Sequence, residues 1–227
     1  MHVVGKSVKS TLYSVPDCQS IVKKAIITSM SEAYGITEFK EDGPVYKIEV
    51  AILKDKVTLT IDTSGSGLHK RGYRENSAAA PLKETLAAAM ILQSRWQDSY
   101  ELIDPFCGSG TILIEAAMIA QNIAPGLNRE FVCETWPTMP MYIFNGVRDG
   151  ARKSIKNKDI KLVGYDIDTW VLRTAENNAA KAGVSQWIEF HKRDFREFSN
   201  KRKYGFIISN PPYGERLSDK REVEELY

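Results

Sequence analysis

The segment Asp104-Pro105-Phe106-Cys107-Gly108-Ser109-Gly110-Thr111 stands between the short apolar run Leu102-Ile103 and an apolar stretch of helical character that extends to Ala120. A strand that ends in an aspartate, turns at glycines and enters a helix is the opening of a strand–helix–strand unit. Glycine permits backbone angles that other residues resist, and it leaves room for a ligand against the turn. The helix start beyond the turn offers free N–H donors. The segment therefore predicts an α/β fold with a ligand site at this turn.

Three further apolar runs follow in the second half of the chain. They occupy residues 162–166, 187–190 and 206–210, and a helical pattern from about Thr169 to Ala182 separates the first two. Strands that alternate with helices form right-handed crossovers and a parallel sheet, whose site lies beyond the carboxyl ends of the strands. We therefore predict a Rossmann-like α/β sheet. The run at 206–208 is apolar throughout, which predicts a strand that is covered on both faces and flanked on both sides.

The first part of the chain has a different pattern and predicts a small α+β domain. Apolar residues recur at helical spacing after Pro16-Asp17, and Gly35 stands just past their end, which predicts one amphipathic helix. Two segments of alternating apolar and polar residues around Lys54-Asp55 predict a β-hairpin packed on that helix. We place this domain at residues 1–63.

A polar, glycine-rich stretch at Ser64-Gly65-Ser66-Gly67 marks the domain boundary. Residues 64–80 are predicted to be a linker and residues 81–227 the second domain. Pro81 suits the first turn of a helix that continues towards Trp96.

Composition limits the class of protein. Of 227 residues, 43% are hydrophobic and 26% charged, with a formal net charge of +2, which is typical of soluble globular proteins and requires no nucleic-acid partner. Basic runs at 148–161 and 191–203 permit RNA binding, although such runs are more often solvated faces. The three cysteines lack paired spacing, so no zinc site or disulfide is indicated. The N-terminus lacks the apolar core of a signal peptide, and we expect a cytoplasmic protein without membrane contact. No pattern indicates an oligomeric state.

The acids that follow the glycine turn decide which ligand it indicates, because a glycine turn together with an acid after an apolar strand is typical of a nucleoside-cofactor site. A bare Gly-x-Gly is as well explained by a structural turn. A dinucleotide site would need a third glycine, where this chain has Leu113, and an acid about twenty residues later, whereas the next strand-terminal acid is Asp166. The nicotinamide interpretation is thus disfavoured.

The long gap between the glycine turn and Asp166 also implies an insertion at about 122–145, which we interpret as a loop and a candidate substrate lid.

Three aspartates stand at or after the ends of the next two predicted strands: Asp166, Asp168 and Asp194. Asp166 is placed to accept hydrogen bonds from both ribose hydroxyls of a nucleoside. The alternative role for it, capping of the next helix, fits Asp168 better. Asp194 has the position to accept from an adenine amino group, and its alternative is a turn aspartate.

The last apolar run ends in Asn210-Pro211-Pro212-Tyr213. Two prolines remove N–H donors and stiffen a turn whose carbonyls then face the site. The amino group of a base is a poor nucleophile because its lone pair is delocalised. An Asn amide oxygen and a proline carbonyl that accept its two N–H bonds would localise that lone pair for attack on a sulfonium methyl group. Tyr213 offers a ring on which a flipped-out base can stack.

Together, residues 104–111 and 210–217 resemble the THUMP-domain-containing RNA methyltransferases. This family includes bacterial enzymes that make N2-methylguanine in large-subunit (23S) ribosomal RNA, and its members are often labelled adenine-specific methylases. Residues 68–74 and 81–86 match it as well. The resemblance implies S-adenosylmethionine as cofactor, RNA as partner, no metal, and the C-terminal part of an RNA-binding THUMP domain at 1–63.

The resemblance also implies roles for individual residues. Catalytic roles fall on Asn210, Pro211, Pro212 and Tyr213. The implied cofactor-binding residues are Thr85, at the helix start that holds the methionine end in the family, and Asp104, Phe106, Cys107, Gly108, Ser109, Gly110, Asp166, Ile167, Asp194 and Phe195.

Two departures and several alternatives accompany this interpretation. The family has a further N-terminal region and further catalytic strands, so we expect the chain to be a fragment whose isolated activity is doubtful. Asparagine at position 210 suits both guanine and adenine amino groups. Transfer RNA guanine N2, adenine N6 in RNA or DNA, and a non-catalytic RNA-binding module therefore stay open as alternatives.

Overall fold

The computed structural model describes residues 1–40, 42–74, 82–199 and 202–212. The chain divides into two compact units. The small unit comprises Met1–Gly67 and Glu130–Phe144, and the large unit comprises Leu68–Arg129 and the residues from Asn145 onward.

The small unit is built on a three-stranded sheet with the order β1-β2-β3. Its elements are β1 (His2–Val8), α1 (Val15–Tyr34), β2 (Lys47–Leu53) and β3 (Lys56–Asp62). Val3, Val50 and Ile52 form its buried core, against which Cys18 and Val22 of α1 pack. The predicted helix and its stop at Gly35 (φ 67°) are confirmed, as is the hairpin. β1, which pairs in parallel with β2, was not predicted from the sequence.

The predicted loop at 122–145 is folded in part, so that prediction was wrong for this stretch. It contains a 3-10 helix, Val132–Thr135, and the start of α4 (Met141–Lys153). Its middle belongs to the small unit, where Trp136 stacks on Tyr46 with ring centroids 4.7 Å apart. The Trp136 Nε1–H also donates to the Val45 carbonyl oxygen at 3.0 Å. The ring stack and the hydrogen bond of the indole N–H stabilise this stretch against the small unit.

The large unit contains an all-parallel sheet, which confirms the predicted fold class. Its order is β6-β5-β4-β7. The elements are α2 (Glu84–Ser94), β4 (Leu102–Asp104), α3 (Thr111–Ala120), β5 (Leu162–Asp166), α5 (Thr169–Ala182), β6 (Ile188–Lys192) and β7 (Phe206–Ile207). The chain moves to one side of β4 for β5 and β6 and returns to its other side for β7. Ligands of such sheets bind at this reversal, beyond the carboxyl ends of the strands.

Helix α3 is the central helix of the core. Every residue of it except Ile119 is buried. A helix that is buried on all sides and mainly apolar belongs in the interior of a domain, and its one buried acid, Glu115, pairs with Arg71. None of the described helices combines the length and the apolar character that crossing a bilayer requires.

β7 differs from its prediction. Ile208, just past its end, is buried, but Ile207 is 62% exposed. In the part of the chain that the structure describes, this strand pairs only with β4 and is open on one face. The expectation of cover on both faces is therefore not met among these residues.

Gly164 in the middle of β5 gives a prediction about packing. A Cβ there would lie 2.7 Å from Leu113 Cδ1 and 2.9 Å from Phe190 Cδ1. We expect Gly164→Ala to lower the free energy of unfolding by about 1–3 kcal/mol, because a close-packed core cannot absorb the methyl group. Urea titration measures this. The matched control is Gly150→Ala in α4, where a Cβ meets nothing within 4 Å, and a gain of about 0.5–1 kcal/mol is expected. Unchanged stability in Gly164→Ala would contradict the packing account.

Candidate functional site

The glycine turn between β4 and α3 adopts the backbone that the sequence predicts. Gly108 and Gly110 have φ values of 53° and 80°, which few side-chain-bearing residues tolerate. A Cβ on Gly110 would lie 3.1 Å from the Ala175 Cβ, whereas a Cβ on Gly108 meets nothing within 4 Å. Gly110 thus serves packing. Gly108 leaves an open cradle beside the first turn of α3.

Asp166 lies against this turn. Its Oδ2 accepts from the Gly108 N–H at 3.0 Å and its Oδ1 from the Asp168 N–H at 3.0 Å. A carboxylate has about four acceptor sites, so capacity for a ligand hydroxyl remains. The predicted cap of α5 is confirmed, because Asp168 Oδ1 accepts from the Trp170 N–H at 2.8 Å. The two aspartates therefore have separate tasks.

Asp104, at the end of β4, is the most deeply buried acid of the site, with 1% exposure. Its Oδ1 accepts from the Ser209 hydroxyl at 2.6 Å and from the Phe106 N–H at 3.1 Å. Burial raises the pKa of Asp104 to about 7; the two hydrogen bonds oppose this rise, and the charge of Asp166 adds to it. Asp104 thus joins the glycine turn to the segment that leads into Asn210.

An aromatic pair closes one side of the glycine turn. The rings of Phe106 and Phe195 are tilted, with centroids 4.9 Å apart. Ile167, after β5, is 65% exposed. Such surfaces suit a planar ring of a ligand.

Asp194 is engaged within its own loop. It caps the 3-10 helix Phe195–Glu197, and both of its oxygens accept from the Arg196 guanidinium, the shorter bond being 2.6 Å. The Arg196 side chain lowers the pKa of Asp194. This arrangement matches the turn-aspartate alternative, and an adenine amino group would have to share the carboxylate with Arg196.

The remaining predicted residues differ in how well they are placed. Asn210, Pro211 and Pro212 are partly buried and directly follow Ser209. Tyr213 lies outside the described residues. Thr85 is exposed in the first turn of α2. Its neighbour Glu84 pairs with Arg74, whose guanidinium donates to the Thr111 hydroxyl at the start of α3.

Asp166, the glycine turn and the Phe106–Phe195 pair thus follow the carboxyl ends of neighbouring strands. The Asp166 carboxylate retains capacity to accept from hydroxyl groups, and a Cβ on Gly108 would meet nothing within 4 Å. Among the described residues, no three His, Cys, Asp or Glu side chains converge as metal ligands.

The profile of the family described as "RMKL-like, methyltransferase domain" matches residues 71–227, which include both turns of the site. The chain belongs to the RMKL-like methyltransferase family. The profile of the THUMP domain matches residues 1–62.

Two curated relatives support this membership. A protein of Bacillus subtilis strain 168, provisionally named RNA methyltransferase YpsC, is 46% identical over 99% of this chain and 59% of its own length. Ribosomal RNA large subunit methyltransferase K/L of Vibrio parahaemolyticus is 43% identical over 82% of this chain and 27% of its own length. The chain therefore spans 59% of the first of these relatives and 27% of the second.

Solved structures agree with the fold. A protein of Listeria monocytogenes, described as a predicted N6-adenine-specific DNA methylase, has a TM-score of 0.92 and 52% identity, over 99% of this chain and 60% of that chain. SMU.472, a provisionally assigned methyltransferase in complex with SAH (S-adenosylhomocysteine), has a TM-score of 0.87 and 39% identity, over 99% and 61%.

Some residues that hydrogen-bond to the glycine turn of this RMKL-like methyltransferase were not predicted from the sequence. Arg74 Nε lies 3.2 Å from Glu84 Oε1, and its guanidinium donates to the Thr111 hydroxyl. Asn178, 1% exposed, donates from Nδ2 to the Ser109 carbonyl oxygen at 3.1 Å. One signal was present in the sequence, since Asn178 falls on the buried apolar face of α5.

The Arg74–Glu84 pair gives a prediction about stability. Both side chains are largely buried, with 13% and 5% exposure. Arg74→Met should lower the free energy of unfolding by about 3–5 kcal/mol, because it strands the Glu84 carboxylate without its cation, and Arg74→Met/Glu84→Gln should recover most of the loss. The control is Arg152→Met, which removes an exposed pair with Asp149 and should cost under about 1 kcal/mol. Equal losses for the two single variants in urea titration would contradict this account.

Proposed function

We propose that this chain is part of an enzyme that transfers a methyl group from S-adenosylmethionine to an exocyclic amino nitrogen of a base in RNA. The proposed target is guanine N2 in large-subunit (23S) ribosomal RNA. Membership of a methyltransferase family supports the reaction class.

One observation carries the proposal: the glycine turn and the Asn210 turn leave neighbouring parallel strands at the same edge of the sheet. Ile103 of β4 pairs with Ile207 of β7, and the Ile208 N–H donates to the Ile103 carbonyl oxygen at 3.0 Å. The two turns therefore begin side by side. A group held by one turn is presented to a group held by the other, which is the geometry that transfer between two bound molecules requires.

The glycine turn and the acids beside it fit the proposed cofactor. S-adenosylmethionine supplies a methyl group already activated by its sulfonium charge. Asp166 accepts from its ribose hydroxyls, the Gly108 cradle accommodates its chain, and Ile167 and Phe195 contact its adenine. Asp194 accepts from the adenine amino group through the capacity left beside Arg196. Relatedness to SMU.472, described in complex with SAH, supports this assignment.

The Asn210 turn acts on the target base. The Asn210 amide oxygen and the carbonyl of a following proline accept the two N–H bonds of the base amino group, which localises the nitrogen lone pair towards the methyl group. The nitrogen–carbon bond forms as the sulfur–carbon bond breaks, S-adenosylhomocysteine leaves, and the methylated nitrogen gives its surplus proton to solvent. Pro211 and Pro212 stiffen the turn, so these acceptors need no reorganisation during the reaction. Tyr213 stacks on the base.

RNA is the proposed substrate class. A THUMP profile at residues 1–62 and the names of two RNA methyltransferase relatives support it. We propose residues 1–63 as the C-terminal part of the RNA-binding domain, 64–80 as linker and 81–227 as part of the catalytic domain. Adenine N6 is the second candidate target, because the Listeria protein is described as a DNA methylase of that specificity.

Methyl transfer is tested with the complete gene product, labelled S-adenosylmethionine, and ribosomal RNA, transfer RNA or DNA as substrate. Label on guanine N2 of ribosomal RNA is the expected result. Label on adenine or on transfer RNA alone would overturn the proposed target. Binding of cofactor and RNA without any transfer would favour a non-catalytic RNA-binding module.

Removal of the Asp166 carboxylate should weaken cofactor binding. Asp166→Ala is expected to cost about 1.5–3 kcal/mol, the range for hydrogen bonds to charged groups, measured by titration calorimetry. Asp166→Asn retains one acceptor oxygen and should lose less. Asp159→Ala, at an exposed position, is the matched control. Unchanged affinity in Asp166→Ala would remove Asp166 from the cofactor site.

Asn210→Ala should separate chemistry from binding. The hydrogen bonds that it removes strengthen as the amino nitrogen becomes tetrahedral, so single-turnover methylation should fall about a hundredfold to a thousandfold. Cofactor affinity should stay within a few-fold of wild type. Asn177→Ala, on the exposed side of α5, controls for loss of an amide. A methylation rate within a few-fold of wild type would show that the turn is structural only.

A further inference from the structure

Ser209 directly precedes the Asn210 turn, and its hydrogen bond to Asp104 has been given no role in the reaction so far. It follows the last ladder hydrogen bond of β7 and precedes Asn210. Its hydroxyl reaches Asp104, 105 residues earlier in the chain, and donates to Oδ1 at 2.6 Å. This is a side-chain bond between the two segments that the proposed function assigns to cofactor and base.

The backbone pairing of this region with the sheet is short. β7 contributes only Phe206 and Ile207 to the sheet. It pairs with β4 at Leu102 and Ile103, and at its two ends the Phe206 N–H donates to the Glu101 carbonyl oxygen at 2.9 Å and the Ile208 N–H to the Ile103 carbonyl oxygen at 3.0 Å. Beyond Ile208 the next restraint towards β4 is the Ser209 hydroxyl. Short bonds from a hydroxyl to a carboxylate are the strong ones, and Asp104 is 1% exposed, so water competes little for it.

We propose that Ser209 is a positioning residue for methyl transfer: its hydroxyl ties the Asn210 turn to Asp104 and so fixes the base acceptors relative to the cofactor turn. The inference rests on the proposed function. It assigns to Ser209 no contact with either substrate.

The bond should make positioning depend on the charge of Asp104. Burial, chiefly, and the nearby charge of Asp166 at the end of β5 raise the pKa of Asp104, while Ser209 and the Phe106 N–H lower it, with a result of about 7. The Cys107 thiol lies in the same turn and, chiefly because it is buried, its own pKa is raised. Ser209 holds the ionised carboxylate most strongly, so the tie is firm above pH 7 and weakens as pH falls through the pKa of Asp104. Without the hydroxyl that pKa rises further.

The test compares Ser209→Ala, Ser209→Thr and the exposed control Ser185→Ala in the complete gene product. Ser209→Ala should lower kcat about tenfold, the lower end of the range for hydrogen bonds to charged groups. Cofactor affinity should stay within about threefold, because no cofactor contact is lost. The lower inflection of the rate against pH should move to higher pH. Ser209→Thr keeps the hydroxyl and should recover most of the rate, and Ser185→Ala should match wild type.

Coupling to Asp104 distinguishes this tie from a general packing effect. In an Asp104→Asn background, Ser209→Ala should lower the rate by less than threefold, because its charged partner is already gone. If Ser209→Ala does not fold, Ser209→Cys, which keeps the volume with a weak donor, takes its place with the same expected loss.

Wild-type activity together with a Ser209→Ala rate within twofold and an unmoved inflection would overturn the Ser209 proposal alone. A wild-type protein that binds the cofactor but transfers no methyl group would overturn the proposed function, and the positioning role with it.

Discussion

The parallel pairing of β4 with β5 on one side and β7 on the other is the constraint on which the rest of the site depends. Parallel neighbours bring their carboxyl ends to one edge of the sheet, and here those ends carry Asp104, Asp166 and the Asn210 turn. The sheet pairing itself therefore brings together these segments, which are far apart in the chain. The apolar helix α3 fills the space behind β4 and anchors the glycine turn at its N-terminus.

Burial sets the chemical properties of the side chains at these strand ends. Asp104 is almost wholly enclosed, and this raises its pKa into the neutral range, whereas Asp166 keeps capacity to accept from a ligand. The same enclosure strengthens every hydrogen bond at the turn, including those from Arg74 to Thr111 and from Asn178 to Ser109. The proposed function would gain from this rigidity, because hydrogen-bond acceptors that are in place before a reaction need no reorganisation during it.

The sequence predicted the parts of this arrangement that are encoded locally. The glycine turn, the Asp168 cap and the alternating strands depend on neighbouring residues, so they could be recognised without the fold. Contacts between distant segments could not. Nothing near Ser209 indicates that its hydroxyl reaches Asp104, and Trp136 gives no local sign of its stack on Tyr46.

Two further differences concern β1, where the cause is again a contact between distant segments, and Asp194, where the cause is local. β1 contains Gly5, Lys6 and Ser7, a weak strand pattern that becomes a strand only through parallel pairing with β2. Asp194 was expected to face a ligand, but Arg196, two residues later, already engages its carboxylate.

The central claim is that the methyl group goes to the N2 atom of guanine. Mass spectrometry of nucleosides from ribosomal RNA of a strain that lacks the gene tests it most directly. The account predicts loss of one N2-methylguanine, restored by the wild-type gene and not by Asn210→Ala, and an unchanged N2-methylguanine content in the deletion strain would contradict it.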